Sequence, residues 1–454
     1  MPAKYRNVFI LALITGILGA FYPGIIIGVC ALLSLLMYLN RISYSLNDRW
    51  PFRIFLAGIA VRFLIITFFS VKSTLQNEIV TLFGDSSMNF EYSQYAFIAY
   101  LGLINYKQFP LMPGVYGYSI LNWLYGLFYF LAGYSPFLII LLNSTATCLS
   151  AWMVYLIVFR ITNHRTAASL AMGLNIFWPS QILWSVNLLK EPILTFLLTV
   201  IIYFFVDAVV RKRWHNFLFI GLLWYPMGQI RVYTHWLILS TLALSLLLCI
   251  PRRATIRIVL LGFVLLAFLF KAGPSRIQNM YANFQEKIIS TQIGFFTTGG
   301  SFYRFIPDRY QPDGGSGPRM MSFREMAVSY LKAVYYYLGS PNPVLSKSSN
   351  RLYALPQIIP WYLMMILFFP IGMLYLLRYH FRSSVVIFVY LFVFTSVMAL
   401  FTGNEGTALR QRDIITPFYL ILIAVGMINF RGWLARKYKT RFSLSNQAPE
   451  GMNY

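Results

Sequence analysis

Charged residues are scarce in this chain. They make up 11 % of its 454 positions, and hydrophobic residues make up 58 %, whereas soluble domains carry about 25 % charged residues. This scarcity excludes an ordinary soluble protein. A helix needs about 20 mainly apolar residues to cross a membrane, and the chain contains many such stretches. The sequence therefore predicts an all-α integral membrane protein.

Acidic residues and cysteines are rarer still. The 13 Asp and Glu stand against 37 Lys and Arg, which gives a net charge of +24. Because the basic residues of membrane proteins collect in cytoplasmic loops, beside anionic headgroups, this charge indicates membrane lipids as partners and no nucleic acid. Cys30, Cys148 and Cys249 lie within apolar runs, so the sequence predicts neither a disulfide framework nor a metal site.

Several motifs of soluble enzymes are also missing. The chain has no phosphate-binding loop of the Walker type, no dinucleotide-binding glycine motif, no zinc-protease histidine pair and no nucleophile elbow. A bond-forming reaction must therefore draw its energy from the substrate, as it does with polyprenyl-phosphate donors. We expect no cofactor, and the sequence indicates no divalent metal.

Basic loops give the direction of each predicted span. We predict the following groups to be cytoplasmic: Arg160 with Arg165, Arg211 to Arg213, Arg252 with Arg253, Arg378 with Arg382, and the tail from Arg431 to Arg441. The apolar runs predict spans at 54–71, 136–159, 167–185, 192–209, 215–230, 233–250, 257–272, 356–377, 383–401 and 414–430. The first apolar stretch, 8–38, forms either two passes or a re-entrant hairpin, so the total is about 11–12 transmembrane helices.

One apolar stretch is predicted not to cross. Residues 114–133 are rich in Tyr and Trp, which favours an interfacial helix. Three regions result. The N-terminal transmembrane region, 1–272, holds an outer catalytic loop at 72–113. A large non-cytoplasmic loop follows at 273–355, with helix-capable stretches around 276–292 and 322–338. The C-terminal transmembrane region with a basic cytoplasmic tail occupies 356–454. We expect a multi-pass protein of the inner (plasma) membrane.

The few acidic residues concentrate on the predicted outer face, where ten of the thirteen lie. Asp85 is the leading catalytic candidate. It follows a long apolar run. Because ionisable groups in the membrane zone cost free energy, those that are present there are candidates for a function. Its carboxylate can act as general base for a hydroxyl or amine acceptor. The structural alternative is an N-cap for a helix that starts at Ser86, and one residue can do both.

Glu191 is the second catalytic candidate, and it stands between Lys190 and Pro192. Proline suits the first turn of a helix, so the structural explanation is a helix start whose dipole favours the acid. The functional interpretation places Lys190 on a phosphate and Glu191 beside Asp85. We favour it because so short a loop cannot hold these charges far from the membrane surface.

Outer arginines are the third signal, since they run against the positive-inside bias. Arg410 and Arg412 precede the last predicted span, and Arg231 lies in another outer turn together with His235. The arginine fork suits a phosphate group, and anchoring to lipid headgroups is the alternative. His235 is a candidate for the acceptor side, although interfacial packing is the commoner role of such a histidine.

Four segments resemble the GT-C superfamily of membrane glycosyltransferases, which includes the protein O-mannosyltransferases and the aminoarabinose transferases. The first is Gly84-Asp85-Ser86 followed by Tyr92 and Tyr95. The second is Phe109-Pro110 to Gly133-Tyr134-Ser135-Pro136, then Leu141-Leu142-Asn143-Ser144. The last two are Phe177-Trp178-Pro179-Ser180 to Leu189-Lys190-Glu191-Pro192, and Arg410-Gln411-Arg412 with Pro417-Phe418.

The resemblance implies transfer of a sugar from a polyprenyl-phosphate donor to a lipid or glycan acceptor, with inversion, on the non-cytoplasmic face. Asp85 would deprotonate the acceptor, and Lys190, Arg231, Arg410 and Arg412 would hold the donor phosphate. Tyr92 would lie with the acceptor.

Two other functions remain open. An O-antigen or exopolysaccharide polymerase, acting on polyprenyl-diphosphate-linked oligosaccharides, would rely on Arg and His more than on Asp85. A transporter of lipid-linked sugars is the weaker alternative. Transporters place ionisable residues in the middle of their spans, and the predicted spans of this chain are nearly free of them.

Overall fold

The computed structural model describes residues 24–76, 84–103, 119–134, 136–249, 262, 279, 281–292, 305–306, 321–339 and 351–445. This part of the chain is helical and contains no strand. Its helices are α1 (Gly24–Ser45), α2 (Trp50–Gln76), α3 (Gly84–Tyr100), α4 (Ser119–Ala132), α5 (Pro136–Thr162), α6 (Arg165–Ile176), α7 (Pro179–Ser185), α8 (Glu191–Arg211), α9 (Asn216–Ile230), α10 (Val232–Cys249), α11 (281–292), α12 (Phe323–Gly339), α13 (Arg351–Leu367), α14 (Phe369–Tyr379), α15 (Phe381–Phe401) and α16 (Glu405–Ser445).

Seven of the described helices are long and apolar enough to cross a membrane, namely α1, α2, α5, α8, α10, α15 and α16. The pair α13 and α14 is bent by 43° and gives an eighth candidate if it forms one span. The chain is therefore an all-α, multi-pass membrane protein. Helix α4 has 14 residues, which is shorter than a span and agrees with the interfacial helix predicted at 114–133.

Some predicted spans differ from the observed helices. The stretch 167–185 is two helices, α6 and α7, because Pro179 begins the second one. The stretch 215–230 is the single helix α9 of 15 residues, with Pro226 inside it. The stretch 356–377 is the bent pair. The predicted span 257–272, apart from Gly262, and residues 1–23 lie outside the described residues.

Local sequence explains where several helices begin. Proline occupies the first turn of α7, α8 and α14, where its missing N–H is not needed. Ser322 and Glu325 form a capping box before α12, since Glu325 Oε2 accepts from the Ser322 amide at 2.9 Å and Ser322 Oγ from the Glu325 amide at 3.3 Å. Asn404 Oδ1 caps α16 by accepting from the Gly406 amide at 2.8 Å.

Helix α5 lies at the centre of the bundle and packs against α2, α6 and α8. Its aromatic residues Trp152 and Tyr155 are fully buried. Helices α14 and α16 meet through two glycines. A Cβ added to Gly372 would lie 1.8 Å from the Leu422 carbonyl oxygen, and one added to Gly426 would lie 2.0 Å from that of Phe368. Small residues that let two backbones touch are typical of helix pairs in membranes.

The described part of the segment 273–355 packs on the bundle. Gln285 of α11 forms two hydrogen bonds with the Met321 backbone, at 2.7 and 3.1 Å. Helix α12 joins α15 through a bond of 2.7 Å between the hydroxyls of Tyr330 and Ser396. Both helices therefore lie at the end of the bundle where α15 ends and α16 begins.

Candidate functional site at one end of the bundle

Two charged clusters lie at opposite ends of α8. Glu191 is the first residue of this helix, and Asp207 and Arg211 belong to its last turns. A helix of 21 residues is about 30 Å long, which equals the thickness of the hydrocarbon core of a bilayer. The two clusters therefore lie at opposite membrane faces. Arg231 and Arg410 join Glu191, while Arg160 joins Asp207, which is the grouping that the basic loops predict.

The first cluster is built around the Glu191 carboxylate. Arg410 Nε lies 3.2 Å and Arg231 Nη1 4.0 Å from Glu191 Oε1. Glu191 is 2 % exposed, and Arg231 is 9 % exposed. The side chain of Arg410 is 21 % exposed, so this arginine forms the accessible edge of the group. The two guanidinium groups and the N-terminus of α8 together stabilise the buried carboxylate.

Arg231 is placed by a turn of a single residue. It links α9 to α10 in an extended conformation, with φ −152° and ψ 102°. Its guanidinium lies 5.1 Å from the centre of the Tyr233 ring. This contact fixes the direction in which Arg231 reaches Glu191.

The segment 186–190, which precedes Glu191, is entirely buried. Other helices supply the partners that its backbone needs. Asn143 Nδ2 of α5 donates to the carbonyls of Asn187 and Leu189, at 3.0 and 3.1 Å. Asn89 Nδ2 of α3 donates to the Leu188 carbonyl at 3.0 Å. Buried backbone groups are costly when unpaired, so these amides hold the segment in place.

The segment 186–190 ends at Lys190, and Glu191 follows it as the first residue of α8. Lys190 is 8 % exposed and immediately precedes α8. Arg231 and Arg410 place two cations at one carboxylate, and Lys190 is the residue that precedes Glu191 in the chain. Counted together, these four residues carry a formal net charge of +2, which suits an anionic ligand.

Asp85 lies in the first turn of α3, where the sequence predicts a helix start. Its side chain is outside the described part of the structure. The next residue is informative, because Ser86 Oγ accepts a hydrogen bond of 2.9 Å from the Leu188 amide. Since Leu188 is two residues before Lys190, the backbone of Asp85 lies beside the segment that carries Lys190 and Glu191. Tyr92 is buried further along α3.

Helix α3 is fixed on its other side by α4. A Cβ added to Gly126 would lie 2.6 Å from the Ala96 Cβ and 2.8 Å from the Phe97 amide nitrogen. The two helices are therefore in close contact. This contact, together with the bond from Ser86 to Leu188, determines where Asp85 is held.

Arg412 contacts a different element from Arg410. Two residues along a helix correspond to a rotation of about 200°, so the two arginines leave α16 on different sides. Arg412 Nη1 donates to the Leu338 carbonyl at 2.7 Å, and its guanidinium lies 5.0 Å from the centre of the Trp361 ring. Arg412 is 2 % exposed. It joins the end of α12 to the bundle.

Asp413 anchors α7 to α16. Its carboxylate accepts a hydrogen bond from Trp184 Nε1, and its carbonyl accepts one from Gln181 Nε2 at 2.7 Å. Ser180, at the start of α7, is held in turn by Gln357 of α13. Asp413 is therefore engaged in packing among three helices.

His235 packs between α9 and α10. Its ring lies 5.3 Å from that of Trp224 and 4.7 Å from that of Trp236. A Cβ added to Gly228 would lie 2.7 Å from His235 Nδ1. The absence of a side chain at position 228 makes room for the histidine, whose contacts are those of a packed interfacial residue.

Arg62 was missed by the sequence analysis although it lies within the predicted span 54–71. It is fully buried, donates from Nε to Ser185 Oγ at 2.9 Å and from Nη1 to the Gly58 carbonyl at 3.2 Å. Among the described residues its Nη2 has no hydrogen-bond partner, and no ion pair of Arg62 is found. An arginine inside an apolar run was the signal. Through its bond to Ser185, Arg62 contacts the residue that directly precedes the segment 186–190.

The second cluster, at the other end of α8, is more exposed. Asp207 lies 2.8 Å from Arg160 Nε, 3.6 Å from Arg211 Nε and 3.8 Å from Arg213 Nη1, and Asn216 donates to it at 3.0 Å. These contacts connect α5, α8 and α9. The cluster acts as a structural clamp at the face predicted to be cytoplasmic.

Within the described residues, no group of three or more His, Cys, Asp or Glu side chains could hold a metal ion. The ion pairs described for the first cluster join two arginines to one carboxylate. In comparisons with known proteins, no family model matches the chain, and no curated protein matches it either.

Proposed function

We propose that the protein is a membrane glycosyltransferase that moves a sugar from a polyprenyl-phosphate donor to a lipid or glycan acceptor. The observation that supports this most directly is the pairing of both Arg410 and Arg231 with Glu191, which follows Lys190 in the chain. These groups come from three separate parts of the chain and meet at one end of the membrane-spanning helices. A lipid-linked phosphate lies at this same depth.

In this proposal the arginines bind the donor phosphate. Arg410 offers several N–H donors in a fixed fork, and its contact with Glu191 orients that fork at the partly exposed edge of the cluster. Glu191 then has the role of holding both arginines, since Oε1 is the atom that they share. Release of the polyprenyl phosphate is assisted because its negative charge remains beside these cations.

Asp85 is the proposed general base. It takes the proton from the acceptor hydroxyl or amine while the acceptor atom attacks the anomeric carbon. The bond between that carbon and the phosphate oxygen breaks, the configuration inverts, and the polyprenyl phosphate leaves. The position of Asp85 next to Ser86, which binds Leu188, supports this role, because it puts base and phosphate groups on adjacent segments.

In this proposal helix α12 covers the end of the bundle that holds the site. Its last residues contact Arg412, which leaves α16 on a different side from Arg410, and Tyr337 of this helix is fully buried. Burial raises the pKa of the Tyr337 hydroxyl well above its ordinary value. A buried cover excludes water, which would otherwise hydrolyse the donor.

The test combines binding and turnover. Purified protein is titrated with a polyprenyl monophosphate, and Arg410→Ala should bind it at least tenfold more weakly, since a charge-assisted contact is lost. Arg378→Ala is the matched control, because Arg378 lies at the other face, and should bind as the wild type does. Cells that carry only Asp85→Asn should accumulate the sugar donor, with binding of the monophosphate preserved. Equal binding by Arg410→Ala and the wild type would contradict the proposal.

A polymerase acting on polyprenyl-diphosphate-linked oligosaccharides is the second candidate. One observation favours it, namely that the described cluster is built mainly from cations. In that case Asp85→Asn would retain activity, and the protein would bind a polyprenyl diphosphate more tightly than a monophosphate. The same titrations therefore separate the two functions.

A further inference from the structure

A cavity of 280 Å³ opens at the end of the bundle opposite to Glu191. It lies where α5 ends, α6 begins, and the later turns of α14 and α16 pass. Its polar lining includes His164, Tyr375, Asn429 and Arg436, and its apolar lining includes Ile428. The proposed glycosyl transfer does not use this cavity.

The lining is rich in hydrogen-bond donors. Arg436 provides a guanidinium group, and Tyr375 provides a phenol. His164 Nδ1 accepts a hydrogen bond of 3.2 Å from the Ala167 amide, so the neutral ring carries its hydrogen on Nε2. None of the described residues that line the cavity is acidic. A lining that combines several donor groups with no acidic residue among its described members suits an anion.

The cavity is also at the depth of lipid headgroups. Thr162, which lines it, is the last residue of the span α5. Trp433, close to Arg436 on α16, is 49 % exposed, and exposed tryptophan is typical of the membrane interface. The basic loops predict that this face is cytoplasmic, where anionic lipids concentrate.

We infer that this cavity binds a phosphate group, with Arg436 as the principal cation and His164 as a second donor. The phosphate belongs to the headgroup of an anionic membrane lipid or to a soluble phosphorylated compound. Sites for whole small molecules measure about 300–1,000 Å³, so a volume of 280 Å³ accommodates a headgroup but not a polyprenyl chain. This site is distinct from the one proposed for the sugar donor.

The experiment uses the full-length protein, purified in neutral detergent. Phosphatidylglycerol, phosphatidylcholine and inorganic phosphate are each titrated, and binding is followed by native mass spectrometry and by the midpoint of thermal unfolding. Arg436→Gln is compared with Arg431→Gln, a matched control that removes the same charge from the same helix but outside the cavity. Arg436→Lys tests the charge alone.

Wild type and Arg431→Gln should bind phosphatidylglycerol about tenfold more tightly than Arg436→Gln, the scale of one lost charge-assisted hydrogen bond. Arg436→Lys should recover part of the difference, because lysine lacks the planar fork. Binding of phosphatidylglycerol alone identifies a lipid, and stabilisation by inorganic phosphate without lipid identifies a soluble compound. If Arg436→Gln and Arg431→Gln lost the same amount of affinity for phosphatidylglycerol, the inference would be overturned. The same holds if the wild type bound phosphatidylcholine as tightly as phosphatidylglycerol.

Discussion

Arg410 Nε lies 3.2 Å from Oε1 of Glu191, in a region where the carboxylate is 2 % exposed. The two residues come from α16 and α8, which are distant in the chain. Burial of such an ion pair costs desolvation free energy. Removal of one partner from the buried pair then strongly destabilises the fold. The contact therefore both joins two halves of the bundle and orients a cation toward the membrane surface.

Glu191→Gln should destabilise the protein. Loss of the charge removes the carboxylate that Arg231 and Arg410 share, and breaking a buried pair costs about 3–5 kcal/mol. Because Arg410 is partly exposed, we expect about 2 kcal/mol at neutral pH. Thermal unfolding in detergent measures the change. Glu286→Gln, an exposed acid on α11, is the control. A polyprenyl monophosphate should raise the unfolding midpoint of Glu191→Gln more than that of the wild type. If Glu191→Gln without ligand had the same midpoint as the wild type, the ion pair would contribute little to stability.

Arg62→Met should leave the fold intact and raise its stability or leave it unchanged. Arg62 is buried without an ionic partner among the described residues, and replacing such a charge by an apolar side chain of similar size is often neutral or stabilising. Ser185 Oγ still donates to the Ile182 carbonyl at 2.8 Å. If unfolding shows a stable variant that no longer transfers sugar, Arg62 is retained for function. A variant that cannot be purified folded would instead assign Arg62 a purely structural role.

The bundle was largely predictable from sequence, because apolar length and basic loops act locally. The breaks were harder. The run 167–185 is apolar throughout, and only Pro179 shows that it divides into α6 and α7. Position 414 was predicted to begin the last span, yet α16 begins at Glu405, since Asn404 caps it there. The cap overrides the polar composition of the residues that follow.

The site was predictable in part. The sequence singled out Glu191, Arg231 and Arg410 by charge, and the structure brings these three together. It placed Arg412 with them, but charge alone does not reveal the side of a helix, and Arg412 contacts Leu338. Asn143 stood out only as part of the run Leu141-Leu142-Asn143-Ser144 in the family resemblance. Its bonds to the segment 186–190 were not predicted, because an asparagine in an apolar helix acquires its meaning only from the carbonyls that the fold brings to it.

Asn143→Leu should therefore be more damaging than its position suggests. It would leave the carbonyls of Asn187 and Leu189 buried without their donor, and each unsatisfied buried group costs about 1–3 kcal/mol. We expect a loss of at least 2 kcal/mol by that rule (about 1 kcal/mol for each carbonyl). Chemical unfolding measures it, and Thr145→Val is the control, because Thr145 bonds only within its own helix. Comparable losses in both variants would show that the segment 186–190 does not depend on Asn143.

Arg410 and Arg412 should separate cleanly when each is replaced by alanine. Arg410 borders the cluster with partial exposure, so Arg410→Ala should weaken binding of a polyprenyl monophosphate with little change in stability beyond that of its ion pair. Arg412→Ala removes the donor to Leu338 and the contact with Trp361, so it should loosen α12 and lower the free energy of unfolding by about 2–3 kcal/mol.

Hydrogen exchange of the α12 amides provides the decisive measurement. It should rise in Arg412→Ala and stay at the wild-type level in Arg410→Ala. Under the proposal that α12 covers the site, Arg412→Ala should also speed dissociation of the bound monophosphate. If both variants lost affinity to the same degree and α12 stayed protected in both, the two arginines would act as one phosphate clamp, and the separate role of Arg412 would be wrong.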